Sequence, residues 1–191
     1  IIPAAIEKDV PVYAYPFEGF WRDIGTMRSF YEVNLNLASP DPAFDFYDAK
    51  WPIYTRARYL PGSRIIDSDM RQVFVAPGTV IEQATIRQSV IGLRSVVRPG
   101  AHLHRVMMMG ADYYETDDDR AENARMGLPN IGVGRGSVIE GTILDKNVRV
   151  GRNVVIRNHE GEEDQETSSY MIRDGLVVIP KNITIPDNTI I

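Results

Sequence analysis

The chain has no cysteine among its 191 residues. That excludes a disulfide framework and any thiolate-held metal site, and it fits a reducing compartment. No run approaches the roughly 18 apolar residues that a membrane-spanning helix needs, so no membrane partner is expected. An excess of positive charge is missing too. The formal net charge is -5, which offers no electrostatic handle for nucleic acid. There is no initiating Met and no leader pattern before Ile1-Ile2-Pro3, so the chain is expected to continue a longer polypeptide. What remains is an ordinary globular balance, with 43% hydrophobic and 25% charged residues.

The strongest positive signal is a repeat. Aliphatic residues return every six positions: Val75 and Ile81, then Ile91, Val97 and Leu103, then Val138, Leu144, Val150 and Ile156, then Ile179, Ile185 and Ile191. Four residues after most of them stands a smaller or β-branched residue, such as Thr79, Ser95, Ala101, Thr142 and Val148. Period six matches neither a helix nor a lone strand. It matches a parallel β-helix of hexapeptide repeats, in which one aliphatic per side points to the axis and small residues, Gly and Pro serve the corners. Such a solenoid buries its core only by stacking coils. A β-sandwich with accidental spacing is the plainer alternative. Two polar segments, Ala111 to Asn130 and Arg157 to Gly175, interrupt the rhythm and read as loops projecting from one face. Within the first, Asp117 to Arg125 reads as a short helix, acidic at its start and basic at its end.

Ahead of the repeat the pattern changes. Val10 to Phe17 reads as an edge strand, with Pro11 and Pro16 inside it. Phe20-Trp21-Arg22-Asp23-Ile24-Gly25-Thr26 follows, with Thr26 a good N-cap. Met27, Phe30, Tyr31, Leu35 and Ala38 then fall on one helical face. The segment Ser39 to Pro42 ends that helix. Pro- and aromatic-rich residues up to Pro61 read as an ordered connector. The division expected is 1–40 for a strand-helix tail, 41–70 for a linker and 71–191 for the β-helix.

The turn FWRDIGT, the connector IYTRARYLP, the hexapeptide run and the block MMMGADYYET together resemble ADP-glucose pyrophosphorylase (glucose-1-phosphate adenylyltransferase). The similarity spans nearly the whole chain, and the GADYYET block is its most specific part. It implies a left-handed parallel β-helix preceded by the tail of an α/β nucleotidyltransferase domain. It also implies that the nucleotide loop and the sugar-phosphate lysine lie in a domain upstream, since no G-x-G-x-R loop occurs here. On this reading the whole protein makes ADP-glucose and pyrophosphate from ATP and glucose 1-phosphate, with Mg²⁺. It works as a homo- or hetero-tetramer in glycogen or starch synthesis, in a bacterial cytoplasm or a plastid, and these 191 residues alone are inactive.

The resemblance places Asp23 on the metal, a role that suits a carboxylate beside transferring phosphates. Taken by itself, Asp23 fits equally well as a turn-stabilising residue. The resemblance also implies an anion-effector site, for a phosphorylated metabolite or phosphate, drawing on Arg56, Arg58, Asp145, Lys146 and Lys181. Arg56 departs from the plant pattern, where glutamine is usual. The plainer reading makes Lys146 and Lys181 solvated corner residues. They lie 35 residues apart, and spacing alone does not join them. His102 and His104 flank Leu103 and are expected to face outward. Other hexapeptide enzymes, the acyltransferases, use a histidine as general base, but no acyl-donor signature accompanies this pair. A non-catalytic regulatory or assembly module, and a related sugar-phosphate nucleotidyltransferase acting on a different nucleotide or sugar, are the further alternatives. Met107 and Met109 are expected on one side of their strand and Met108 on the other, serving the core or a domain contact.

Overall fold

The computed structural model describes residues 1–191. Two helices come first, α1 (Ile2–Glu7) and α2 (Met27–Asn36). The chain then winds through β1 (Arg64–Ile66), β2 (Asp69–Val75), β3 (Val80–Glu82), β4 (Thr85–Leu93), β5 (Val96–Val97) and β6 (His102–Gly110). Helix α3 (Asp117–Met126) interrupts the winding. It resumes with β7 (Gly132–Val133), β8 (Val138–Leu144), β9 (Arg149–Val150) and β10 (Val155–Ile156). A second excursion holds β11 (Gln165–Glu166) and β12 (Met171–Arg173), before β13 (Leu176–Ile179) and β14 (Thr184–Ile185) complete the fold. Coils therefore begin at Arg64, within the segment read as connector.

Successive coils pair in parallel. Strands β1, β3, β5, β7, β9 and β14 stack as one face, and β2, β4, β6, β8 and β13 form the longer sheet. Arg64 pairs with Val80 and Val80 with Val96, a step of 16 residues per coil. Val138 pairs with Val155 and Gly132 with Arg149, a step of 17. Each coil is thus shorter than three full hexads. The shortening lies in the long strands: Ile86 and Ile91, Leu103 and Met108, Ile139 and Leu144 are five residues apart, and all reach the axis. Between them the chain bends at Gln88, Arg105 and Gly141, with φ of 45°, 54° and 58°. A left-handed residue turns the corner more tightly than the small residue expected there.

This geometry corrects one position of the repeat. Val138, expected on the axis, is 36% exposed, and Ile139, 1% exposed, takes its place. Ile81, Ile91, Val97, Leu103, Leu144, Val150, Ile156, Ile179 and Ile185 are axial as the rhythm predicts, with Val75 and Ile191 packed at the margin of the core. Buried hydroxyls brace the corners. Ser89 donates to Arg87 O (2.6 Å) and accepts from Val106 N (3.0 Å), while Ser137 donates to Gly151 O (2.8 Å) and accepts from Val154 N (3.1 Å). Without such partners a buried hydroxyl would oppose folding.

The short helix expected in the first excursion forms as α3. Thr116 accepts from Asp119 N (3.1 Å), the Asp119 carboxylate accepts from Thr116 N (2.8 Å), and Gly127 ends the helix at φ 67°. The second excursion is more than a polar loop: β12 runs antiparallel to β13 and carries Ile172, 1% exposed, into the main core.

The strand expected over Val10–Phe17 does not form. No other strand lies beside it, its prolines withhold donors, and Tyr13 and Tyr15 stand 88% and 87% exposed. By contrast α2 docks firmly. Tyr31 is 1% exposed and packs with Met107, Ile143, Leu176 and Val178 on the outer face of the longer sheet, and its hydroxyl donates to Arg105 O. The methionine alternation is as expected: Met107 and Met109 meet α2, while Met108 faces the axis.

Candidate functional sites

Asp23 sits in a turn built by its own neighbours. Its Oδ1 accepts from Gly25 N at 2.7 Å, and its carbonyl accepts from Ser29 Oγ. Thr26 caps α2 by accepting from Ser29 N at 3.1 Å. Through α2 and Tyr31 this turn is fixed against the solenoid. Asp23 is exposed, and its Oδ2 accepts no hydrogen bond. Nowhere do three His, Asp or Glu side chains gather at metal-holding distance. Asp23 thus presents one carboxylate oxygen that accepts no hydrogen bond, outside any cluster of acidic or histidine side chains.

The lysine pair is brought together. Lys146 and Lys181 stand one coil apart at the same corner, where Asn182 N donates to Lys146 O at 3.0 Å. Their ammonium groups clamp a single carboxylate: Lys146 Nζ lies 2.8 Å from Asp112 Oδ1, and Lys181 Nζ lies 2.8 Å from Asp112 Oδ2. Asn147 adds to the clamp, donating to Asp112 Oδ2 at 3.3 Å and accepting from Asp112 N at 2.8 Å. Hydrogen bonds from Lys146 and then Lys181 hold the Asp112 carboxyl well below the usual carboxylate range, and Asp112 in turn raises Lys181. Asp145 joins the corner locally, its Oδ1 accepting from Lys146 N at 2.6 Å. Side chains here remain between 37% and 48% exposed, so these ion pairs add little to stability. What they create is a bidentate cationic site already filled by an internal carboxylate.

Asp112 escaped the reading from sequence, although it lies in the quoted GADYYET block. A signal for the pairing was present. Lys146-Asn147 and Lys181-Asn182 each stand at the same distance before an axial aliphatic, Val150 and Ile185, and those two residues are register partners. Arg56 and Arg58 are not part of the clamp. Both are exposed in the connector, where Arg58 Nη1 contacts Arg56 O at 3.4 Å and neither forms an ion pair. His102 and His104 do face outward, and His104 bridges Glu140 (3.1 Å) and Gln88 (3.2 Å).

A buried network underpins the first excursion. Glu115, whose side chain is 6% exposed, pairs with Arg149, accepts from Asn123 Nδ2 at 2.8 Å and accepts from Ile131 N at 3.0 Å. Arg149 Nη1 also donates to Pro129 O at 2.9 Å. Glu115 thereby ties α3 and the returning chain to the coil, and it holds the segment that presents Asp112.

Comparison with known proteins agrees with this architecture. A family model described as the GLGC left-handed parallel β-helix domain matches residues 58–190, and one described as nucleotidyl transferase matches residues 1–40. The glucose-1-phosphate adenylyltransferase small subunit of Triticum aestivum, described as chloroplastic/amyloplastic, is 41% identical over 194 residues. That alignment covers 100% of this chain and 41% of the relative, so the chain spans about two fifths of the length of the curated protein it matches. The left-handed β-helix expected from the repeat and the resemblance is therefore shown, and the chain belongs to the family of GLGC left-handed parallel β-helix domains, with the end of a nucleotidyl transferase domain before it.

Proposed function

We propose that these residues are the C-terminal part of a glucose-1-phosphate adenylyltransferase, which joins ATP and glucose 1-phosphate to give ADP-glucose and pyrophosphate. The reading rests on similarity along the whole chain to a protein of that name. Within the whole enzyme, Asp23 is the share of the metal site contributed by this chain. Mg²⁺ is commonly held by one or two carboxylates together with substrate phosphates, and the free Asp23 Oδ2 suits that role. Bound there, the ion would neutralise charge developing on the departing pyrophosphate. Asp23 itself is oriented by Gly25 N and by the capped start of α2.

The β-helix is the regulatory half of the proposal. The observation that carries it is the clamp of Lys146 and Lys181 on Asp112. Two ammonium groups a carboxylate apart fit a phosphate or phosphorylated metabolite equally well. Asp145 shapes the corner, and Arg56 and Arg58 approach the same anion from the connector when the effector binds. A tetrameric assembly accompanies this role, in a plastid for a plant protein or the cytoplasm for a bacterial one. In the full-length enzyme, Lys181→Ala is expected to raise the effector concentration for half-activation while leaving unactivated turnover unchanged. An unaltered effector response would remove Lys181 from the site.

A further inference from the structure

A second cationic region lies at the other edge of the six-stranded face from the lysine clamp. There a cleft of about 390 Å³ opens between the solenoid and the residues that follow α3. Gly134 and Gly151 line it one coil apart. Glycine is enforced at both positions by coil stacking: a Cβ on Gly134 would fall 2.1 Å from Gly151 O, and one on Gly151 would fall 2.5 Å from Asp187 N.

Three guanidinium-bearing residues from successive coils line this cleft, Arg98, Arg135 and Arg152. A single carboxylate, Asp187, faces them, and Arg152 already uses it, through Nε (2.8 Å), Nη2 (2.7 Å) and its own backbone N (2.7 Å). Arg98 is largely buried and finds only carbonyl oxygens, those of Ile131 (3.1 Å) and Val133 (3.5 Å). Burial pushes Arg98 below the ordinary arginine value, as expected for a cation removed from water without a bonded counter-ion. Arg135 is exposed; its carbonyl accepts from Asn153 N at 2.8 Å, but its guanidinium bonds to nothing. Of the three arginines, Arg152 is paired with Asp187, Arg98 has no bonded carboxylate although the Glu115 and Glu82 charges act on it, and Arg135 is unpaired, which leaves the cleft with an excess of positive charge. Planar guanidinium forks match the oxygen geometry of phosphate, and the volume is that of a small-metabolite pocket.

We propose that this cleft is a second anion site, distinct from the Lys146–Lys181 clamp, which takes the phosphoryl group of a small phosphorylated molecule. Arg135 and Arg98 supply the charge, and Arg152, oriented by Asp187, closes one side. This proposal is independent of the effector reading at the lysines, since the two sites share no residue.

The test counts phosphate sites by equilibrium dialysis of the full-length protein against labelled inorganic phosphate. Lys146→Ala/Lys181→Ala silences the clamp, and Arg135→Ala is then added to it. The Arg135 side chain has no hydrogen-bond or ion-pair partner, and its backbone bond from Asn153 N survives in Arg135→Ala, so the loss is expected to leave folding intact. We expect Arg135→Ala to weaken one class of phosphate site about ten-fold in the clamp-deficient background. Arg152→Ala is expected to weaken the same class, and glycerol phosphate to displace the label from it. Unchanged phosphate binding on loss of Arg135 overturns the proposal. Equal displacement by malonate overturns the phosphoryl assignment. Loss of a site with the lysine variants alone speaks only to the clamp, so the two readings fail separately.

Discussion

Removing Glu115 tests whether the first excursion is held by one buried network. Glu115→Ala takes away the partner of Arg149 and leaves Asn123 Nδ2 and Ile131 N without their carboxylate acceptor. The side chains of Glu115 and Arg149 are 6% and 17% exposed, so solvent does little to replace the lost charge. Breaking a buried pair on one side costs about 3–5 kcal/mol, and part of that is the stranded arginine. Asn123 retains Asn130 as an acceptor at 2.9 Å, which trims the loss. The net expectation is about 4 kcal/mol, or about 10 °C in Tm for a chain of this size. Replacing both partners with apolar residues, Glu115→Leu with Arg149→Met, is expected to cost far less than Glu115→Ala and Arg149→Ala summed. The assay is urea unfolding followed by far-ultraviolet circular dichroism, with hydrogen exchange read across Asn123 to Ile131. A loss under about 1 kcal/mol with unchanged protection of that segment would refute the network as its anchor.

Other consequences follow from the clamp and from the docked helix. Asp112→Asn removes the internal competitor at Lys146 and Lys181, so the effector concentration for half-activation of the full-length enzyme is expected to fall about three-fold, measured by pyrophosphate release. Because the Asp112 carboxyl is held below its ordinary value, the clamp is at full strength above the ordinary carboxylate pKa and loosens only as pH falls through the depressed value. The Asp112→Asn effect should therefore stay constant from roughly pH 5 to pH 8, and a marked decline of the effect across that range in effector titrations would contradict the assignment. Tyr31→Ala is expected to cost about 3–5 kcal/mol by emptying the contact between α2 and the sheet. Tyr31→Phe, which loses only the bond to Arg105 O, should cost about 1 kcal/mol in the same denaturant assay.

The axis of the solenoid was legible because its geometry admits one aliphatic per side, and spacing alone reveals that. Ile81, Val97, Val150 and Ile185 sit where the rhythm puts them. Val138 does not, because the longer sheet turns its corners with left-handed residues and gains the axis in five steps rather than six. Helix α3 was legible from the charges at its two ends, which are local, while its Thr116 and Gly127 caps became evident only in the structure. The strand over Val10–Phe17 was not, because a strand exists only beside a partner, and pairing is not written in the segment itself. The same limit hid the clamp. Lys146 and Lys181 become neighbours only when the chain returns after β11 and β12, and Asp112 arrives from an excursion two strands earlier. The offset shared by their Lys-Asn pairs was the one local trace of that long-range contact.

The most direct test of the account is turnover of the full-length protein on ATP and glucose 1-phosphate, compared with its Asp23→Asn variant. Asp23→Asn keeps an acceptor for Gly25 N and leaves the Thr26 cap untouched, so the fold should survive, as an unchanged Tm would show. The account predicts pyrophosphate release by the parent protein and a fall of about a hundred-fold or more in kcat for the variant. Near-normal turnover by a folded Asp23→Asn protein would contradict it.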